Sequence, residues 1–258
     1  MRQAALQIND WLKTIIFEVQ EFFLFTVRAA SNLFTRPRYW HDLFDHMDIM
    51  GVGSIPIILI SGACVGALIT IDTLSELRTF GANVLLGKFT GRSIIRGIGP
   101  VLTAMIVATR VCSSAAAELG SMKASQQIDA LTTMGIDYYR KLVTPRIVAG
   151  VLMFPALSVV NAIAAILAGA AVAVVTGTMR FSFFIQQSLI DISPGDLLWG
   201  HTKAAVFGLV VVSVACYYGV RVSGGTAGVR RAAAQAAVAG VLLILITDFI
   251  MTSFIHSF

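Results

Sequence analysis

Long apolar stretches alternate with short polar ones along most of this chain. A helix crosses the hydrocarbon core of a bilayer with about 20 mostly apolar residues. Five stretches approach or exceed that length, so the pattern predicts an all-α integral membrane protein with five transmembrane helices. The predicted spans are residues 49–71, 97–117, 147–179, 204–220 with an extension back to 197, and 232–258.

The chain before the first span follows a different pattern. Apolar residues between Ile8 and Ala30 recur at helical spacing, with the charged residues largely off that stripe. This pattern predicts an amphipathic helix that lies in the membrane interface. The segment RPRYW at 36–40 places cations beside aromatic rings, which is typical of an anchor at headgroup level. The chain therefore divides into an N-terminal interfacial helix with its anchor, 1–48, and a transmembrane domain, 49–258.

Between the second and third spans the chain turns polar for thirty residues, AELGSMKASQQIDALTTMGIDYYRKLVTPR at 117–146. Its apolar residues fit one broad helical face and Gly135 is a natural C-terminal stop, so we expect a helix over about 119–135. The segment could be a mere connector in the interface, which would explain its amphipathic pattern. Its small, polar and uncharged residues fit a protein partner better than lipid headgroups.

Composition and charge place the segment relative to the membrane. Hydrophobic residues make up 57% of the chain and charged residues 13%, whereas soluble domains carry about 25% charged residues. The net charge of +5 is spread over several loops, which argues against nucleic-acid binding. Most Lys and Arg residues precede the first span or follow the second and fourth. The N-terminus and segment 117–146 are then cytoplasmic, and the C-terminus is periplasmic.

Residue types that carry catalysis or metal binding are scattered along the chain. Three cysteines fall in three different predicted spans without a CxxC pair, and four histidines are dispersed near span ends. The segment GANVLLGKFT at 81–90 has the wrong glycine spacing for a P-loop, and Phe89 stands where that motif needs Ser or Thr. Ser113 and Ser114 lack a nearby base in the sequence. We expect no catalytic, cofactor or metal site in this chain.

Arg110 and Asp248 are ionisable residues inside or near the edges of predicted spans. Charge in the membrane is costly without a partner, so such residues are candidates for a functional role. The two could pair with each other, or Arg110 with Glu118. Arg110 could also extend its charge to the cytoplasmic headgroups.

The segment GPVLTAMIVATRVCSSAAAELGSMKASQQIDALTTMGIDYYRKLVTPRIVAGVL at 99–152 closely resembles the central signature of the MlaE/YrbE permeases. These are membrane subunits of ABC-type lipid transporters that work with Mce proteins. Weaker similarity extends to SGACVG at 61–66, GGTAGVRRA at 224–232 and DFIMT at 248–252. The chain departs from the family pattern at four positions: Gly97 and Gln126 stand in place of glutamates, Tyr138 in place of a proline and Asp72 in place of a glutamine.

The resemblance implies that a separate ABC ATPase subunit binds ATP-Mg, while this chain binds no cofactor and is not an enzyme. In such transporters a cytoplasmic coupling helix of the permease fits a groove of the ATPase. The resemblance places that helix in segment 117–146. The residues expected at the ATPase contact are Glu118, Ser121, Met122, Lys123, Gln126, Gln127, Asp129, Leu131, Met134 and Asp137.

The resemblance also implies a homodimer in the bacterial inner membrane, with a periplasmic Mce-type lipid-binding protein that contacts 72–96 or 180–200. We expect membrane lipid to pass between the two copies, because an apolar lining suits acyl chains. The small-residue segment 62–66 suits close contact between copies, or equally packing within one. The expected lining residues are Leu68, Ile71, Leu74, Leu77, Pro100 and Val101.

Two other functions stay open on the sequence alone. An ion- or proton-coupled secondary transporter or channel would act without an ATPase, with Asp72, Arg110, Glu118 and Asp248 as its relay. A passive membrane scaffold would only anchor an Mce-like protein.

Overall fold

A computed structural model describes residues 2–31, 40–190 and 192–256, and all regular structure in these ranges is helical. Two π-helical turns, Ser93–Ile98 and Tyr139–Val143, lead directly into long helices. The α-helices of the described ranges are α1 (Arg2–Ser31), α2 (Trp40–Met50), α3 (Ile55–Thr79), α4 (Leu86–Arg92), α5 (Gly99–Ala124), α6 (Gln127–Thr133), α7 (Thr144–Val175), α8 (Phe181–Ile190), α9 (Pro194–Val220) and α10 (Gly225–His256).

Five helical segments in the described ranges are long and apolar enough to cross a membrane, which confirms the predicted number of spans. The first three extend beyond their predicted bounds because short helices and π-helical turns, some of them rich in polar residues, continue directly into the long ones. The third span ends at Val175, four residues earlier than predicted, because the chain turns there through Gly177, at φ 66°. The observed segments are Trp40–Thr79, Asn83–Ala124, Tyr139–Val175, Pro194–Val220 and Gly225–Phe254.

The centre of the bundle is formed by α5, which packs against α9 and α10. Small residues bring these helices close together. Cys112 and Cys216 are fully buried there, as expected for small apolar side chains, and Ala108 and Ala215 lie in the same cluster. Cys64 on α3 is exposed. Small residues therefore allow close helix packing at these contacts, while large buried side chains such as Phe154 and Phe207 fill the rest of the core.

The small-residue segment 62–66 of α3 packs against α7 of the same chain. A Cβ atom at Gly66 would lie 2.1 Å from the carbonyl oxygen of Ala165, and one at Gly62 would lie 2.9 Å from that of Asn161. Only glycine permits such an approach of two helix backbones. Of the two alternatives for this segment, packing within one subunit is the one observed.

The bundle has two chemically different ends. We call the one that carries α1, α6 and the turn at 221–224 the α6 end, and the one that carries α4, α8 and the start of α9 the α8 end. At the α6 end, α1 packs its Phe25 against Tyr139 and Tyr217, and the Thr144 hydroxyl donates a 3.1 Å hydrogen bond to the carbonyl of Ala29.

The opposite face of α1 is apolar and uncovered, with Ile16, Phe23 and Val27 all exposed. An uncovered apolar row beside a membrane bundle fits the predicted interfacial helix, and that placement stays a prediction. Residues 36–39 of the predicted anchor, and the side chains before Lys13, lie outside the described residues.

Candidate coupling surface and cavity

The polar segment forms a helix reversal rather than the single helix expected over 119–135. α5 ends at Ala124, Gln126 adopts a left-handed conformation at φ 59°, and α6 begins at Gln127. At the end of α5 the Ser125 amide and hydroxyl both donate to the carbonyl of Ser121, at 3.0 and 2.8 Å, and the Gln126 amide donates to the carbonyl of Lys123 in a tighter turn. The predicted bounds are corrected to the end of α5 plus a short α6.

Two contacts hold the reversal in shape. The Lys123 ammonium lies 2.7 Å from a carboxylate oxygen of Asp129 and so bridges the two helices. Ile128 is fully buried and Leu131 packs against the same core. Apolar contacts with the core and an ion pair with α5 therefore both hold α6 in place.

The outer surface of the reversal, which we call the coupling surface, is exposed. Ser121, Gln126 and Gln127 are exposed, and 66% of Met134 is accessible. Gly135, at φ 75°, ends the segment, and the amide of Ile136 donates to the carbonyl of Leu131, as in a glycine-terminated helix. Six of the ten residues predicted for an ATPase contact are exposed here: Glu118, Ser121, Gln126, Gln127, Asp129 and Met134. Met122, Lys123, Leu131 and Asp137 are half-buried.

The chain returns to the helix bundle directly after Asp137. The Asp137 carboxylate accepts a 2.9 Å hydrogen bond from the amide of Tyr139, where the π-helical turn begins. Tyr138 and Tyr139 stack with ring centroids 4.4 Å apart. Burial raises the pKa of Tyr138, and its hydrogen bond to Tyr139 raises it further. Both effects keep that hydroxyl protonated at neutral pH.

A buried arginine lies directly beneath this surface. Arg146 on α7 is 2% exposed, and its guanidinium donates 2.6 Å hydrogen bonds to the Glu118 carboxylate and to the carbonyl of Leu142. Glu118 itself is 54% exposed at the side chain. The sequence pattern did not reveal this pair because 28 residues separate its members, and only the antiparallel packing of α5 and α7 joins them.

A cavity of about 620 Å³ lies at the α8 end, between the π-helical turn at 93–98, α9 and α10. Lys203, only 3% exposed, donates 2.7 Å hydrogen bonds to the Asp248 carboxylate and the Thr252 hydroxyl. The lining of this cavity combines cationic and apolar side chains: Arg92, Arg96 and Lys203 with Phe89, Ile98, Val101 and Leu102.

A second ion pair connects the same turn to the start of α9. Arg96 lies 3.2 Å from the Asp196 carboxylate. Asp196 also completes the N-terminal cap of α9, in which the Ser193 hydroxyl accepts from its amide at 3.1 Å. Sequence reasoning missed Lys203 and Asp196 because both were assigned to a loop, although a lysine inside the apolar run at 197–220 is itself a signal of a buried charge.

The structure of one chain does not gather the six predicted lipid-path residues into one lining. Val101 lines the cavity, and Pro100 is buried beside it. Leu68 and Ile71 face outward on α3. Leu74 is buried in a separate cluster with Leu86 and Phe184, and Leu77 packs against that cluster. Their shared role stays a prediction.

The charges expected to pair with Arg110 have other partners. Asp248 pairs with Lys203 at 2.7 Å, and Glu118 pairs with Arg146 at 2.6 Å. The Arg110 guanidinium instead donates a 2.9 Å hydrogen bond to the Ser54 hydroxyl. Both proposed pairings of Arg110 are therefore wrong, and Arg110, Glu118 and Asp248 are not in contact with one another.

Comparison with known proteins agrees with this architecture. A sequence profile described as Permease MlaE matches residues 43–254. The chain is 32% identical over 255 residues to the Intermembrane phospholipid transport system permease protein MlaE of Haemophilus influenzae, covering 95% of this chain and 97% of that protein.

Two further relatives extend the comparison. A Probable ABC transporter permease protein of Rickettsia felis is 30% identical over 242 residues, with 93% of each chain covered. The protein TRIGALACTOSYLDIACYLGLYCEROL 1, chloroplastic, of Arabidopsis thaliana is 29% identical over 216 residues, which are 84% of this chain and 62% of that protein.

Proposed function

The chain belongs to the MlaE permease family, and from that premise we propose that it is the transmembrane subunit of an ABC transporter that moves phospholipid or a related lipid. The relatives from Haemophilus influenzae and Rickettsia felis support this proposal, since one is named for phospholipid transport and the other for an ABC permease. The five apolar helical segments supply the membrane domain that such a subunit needs.

The observation that carries the proposal is the exposed helix reversal at the α6 end. A rigid polar projection can transmit the motion of a partner only if it moves together with the spans below it. α6 meets that condition, because Ile128 is fully buried in the core and Lys123 pairs with Asp129. A separate ATPase that holds ATP-Mg would contact the exposed residues, and closure of two such ATPases would move α5 and α7 on which the reversal stands.

The cavity at the α8 end supports lipid as the substrate. Arg92 lines the cavity and forms no ion pair within the described residues, Arg96 and Lys203 line it within their ion pairs to Asp196 and Asp248, and Phe89 and other apolar residues form the remaining wall. Cationic groups suit a lipid phosphate, and an apolar wall suits acyl chains at about 25 cal/mol per Å² buried. A second copy of the chain, which paired ATPases require, would complete the path along the uncovered residues Leu68 and Ile71.

The proposed orientation in the bacterial inner membrane follows from charge. Lys and Arg are most frequent before the first span and in the loops of the α6 end, so that end is cytoplasmic and the α8 end periplasmic. A periplasmic Mce-type lipid-binding protein would then exchange lipid at the α8 end, against the segments 72–96 and 180–200, which contain α4 and α8.

The test is affinity purification of the full-length chain from native membranes in mild detergent, followed by mass spectrometry of the proteins that accompany it. Lys123→Glu and Asp129→Lys should each release the ATPase but retain the Mce-type protein. Arg78→Glu and Glu76→Lys, which reverse exposed charges at the other end of the first span, should leave the ATPase bound. An unaccompanied wild-type chain would overturn the proposal.

A further inference from the structure

A second cavity, of about 280 Å³, lies at the α6 end where α1, the π-helical turn before α7 and the end of α9 meet. Glu21, Leu24 and Arg28 of α1 form one wall, and Tyr139 and Arg221 belong to the other side. This cavity is at the opposite end of the bundle from the one that contains Lys203. It has no part in the transport path proposed above.

Charges in this cavity do not cancel. The Arg221 guanidinium donates to the Glu21 carboxylate at 2.5 Å and to the Tyr217 hydroxyl at 2.6 Å. The ion pair of Arg221 with Glu21 has no net charge. Arg28 lies over the Tyr139 ring at 4.8 Å from its centroid. No carboxylate in the described part of the chain forms an ion pair with Arg28. The cavity therefore keeps one positive charge and unused N–H donors.

The other polar groups of the wall suit an anion. Tyr138 lines the cavity as a neutral phenol whose hydroxyl is hydrogen-bonded to Tyr139. The Arg28 guanidinium over the Tyr139 ring presents the N–H donors that match a phosphate oxygen.

The cavity also opens onto an apolar surface. Leu24 lines it and is 56% exposed, and the exposed residues Phe23 and Val27 lie next to it on α1. An anion held at Arg28 can therefore carry an acyl chain that lies along α1. A free phosphate ion would gain nothing from this second surface.

We propose that the cavity binds the phosphate headgroup of an anionic phospholipid resident in the leaflet that α1 contacts, with its acyl chains along the exposed face of α1. The resident lipid would link α1 to the turn that follows the coupling surface, because Arg28 on α1 and Tyr139 beside Asp137 both belong to this site. The binding site is distinct from the transport cavity, so the proposal does not depend on which lipid is transported.

The test uses the full-length chain in nanodiscs of phosphatidylcholine with a minor fraction of labelled phosphatidylglycerol, and a photoreactive residue at Leu24. Arg28→Gln should reduce capture of the label at Leu24 about fivefold, the effect of one cationic contact to an anionic lipid. Arg28→Lys, which keeps the charge but loses the planar guanidinium over the Tyr139 ring, should retain part of the capture. Arg231→Gln, which removes an exposed arginine near the same end, should have no effect.

Further measurements distinguish the sources of the phosphate. Capture from a photoreactive residue at Val238, an exposed apolar position on α10, reports general lipid contact and should not change in Arg28→Gln. Millimolar inorganic phosphate should not compete with capture at Leu24, and Val101→Trp in the transport cavity should leave it unchanged. Competition by inorganic phosphate would overturn the lipid assignment. Equal capture at Leu24 in the wild type and Arg28→Gln, or no recovery in Arg28→Lys, would overturn the site itself.

Discussion

The two ends of the bundle use ion pairs in opposite ways. At the α8 end, Lys203 is almost fully buried and meets Asp248 beside a cavity. At the α6 end, the pair between Lys123 and Asp129 lies at the surface and shapes a projection. The same chemistry has a large effect on stability where water is excluded and a small one where water screens it. Burial, rather than the number of ion pairs, therefore separates an internal structural contact from a contact that shapes a surface.

The largest expected effect is at the buried pair of the α8 end. Asp248→Ala leaves the Lys203 ammonium buried without its counter-charge, which should lower the free energy of unfolding by about 3–5 kcal/mol. Lys203→Met should cost less because Asp248 is partly exposed. The double variant Lys203→Met with Asp248→Leu should recover most of the loss. Equilibrium unfolding in mixed detergent measures the free energy of unfolding of all three variants. A double variant no more stable than Asp248→Ala would contradict the claim that the unpaired buried charge causes the loss.

Glu118 and Arg146 form an intermediate case, with one buried and one exposed partner. Glu118→Ala removes the carboxylate that the buried guanidinium needs, which should cost about 1.5–3 kcal/mol. The matched control is Glu76→Ala, an exposed glutamate at the other end with an expected change within about 0.5 kcal/mol. The same unfolding assay applies. Equal effects of the two substitutions would show that Arg146 does not depend on Glu118.

The backbone of the reversal offers a smaller test. Gln126 occupies a left-handed conformation that is unfavourable for a residue with a side chain, so Gln126→Gly should stabilise the chain by about 1 kcal/mol. Gln127→Gly, one residue later inside α6, should destabilise it by a similar amount, about 1 kcal/mol. Melting temperatures of the two variants should therefore move in opposite directions. A shift in the same direction would mean that Gln126 does not hold the observed conformation in the membrane.

The smallest effect on stability is expected at the surface pair. Exchange of the two charges, Lys123→Asp with Asp129→Lys, should change the free energy of unfolding by less than about 1 kcal/mol. The same exchange should still weaken ATPase association, because it reverses the sign of the charge that the ATPase contacts at each position. Unfolding and co-purification of one preparation measure both quantities. A large loss of stability would show that the pair is structural rather than part of a contact surface.

The sequence predicted much of the fold because apolar periodicity is a property of neighbouring residues. The number of spans and the position of α6 between the second and third follow from it. The break at Gln126 was missed, since it results from the left-handed conformation of one residue, which the apolar periodicity on either side does not indicate. Helix bounds were too short for a related reason: residues 40–48 were assigned to the N-terminal anchor and residues 86–96 to a loop, although both continue into the long helices.

The candidate site was less predictable because it depends on contacts between distant residues. The partners of Glu118 and Asp248 lie 28 and 45 residues away along the chain. No local pattern indicates which of several cations such a carboxylate meets, and the choice of Arg110 was wrong for that reason. The exposed residues of the coupling surface, in contrast, could be named from a contiguous segment.

The π-helical turn Ser93–Ile98 makes the cavity at the α8 end sensitive to chain length. Such a turn holds one residue more than an α-helical turn, and one residue of an α-helix corresponds to a rotation of about 100°. Deletion of a single residue there would let the turn become α-helical and rotate α4 relative to α5. Phe89 and Arg92 would then leave the cavity wall. Between related permeases, a one-residue gap at this turn would alter the cavity more than most substitutions in its lining.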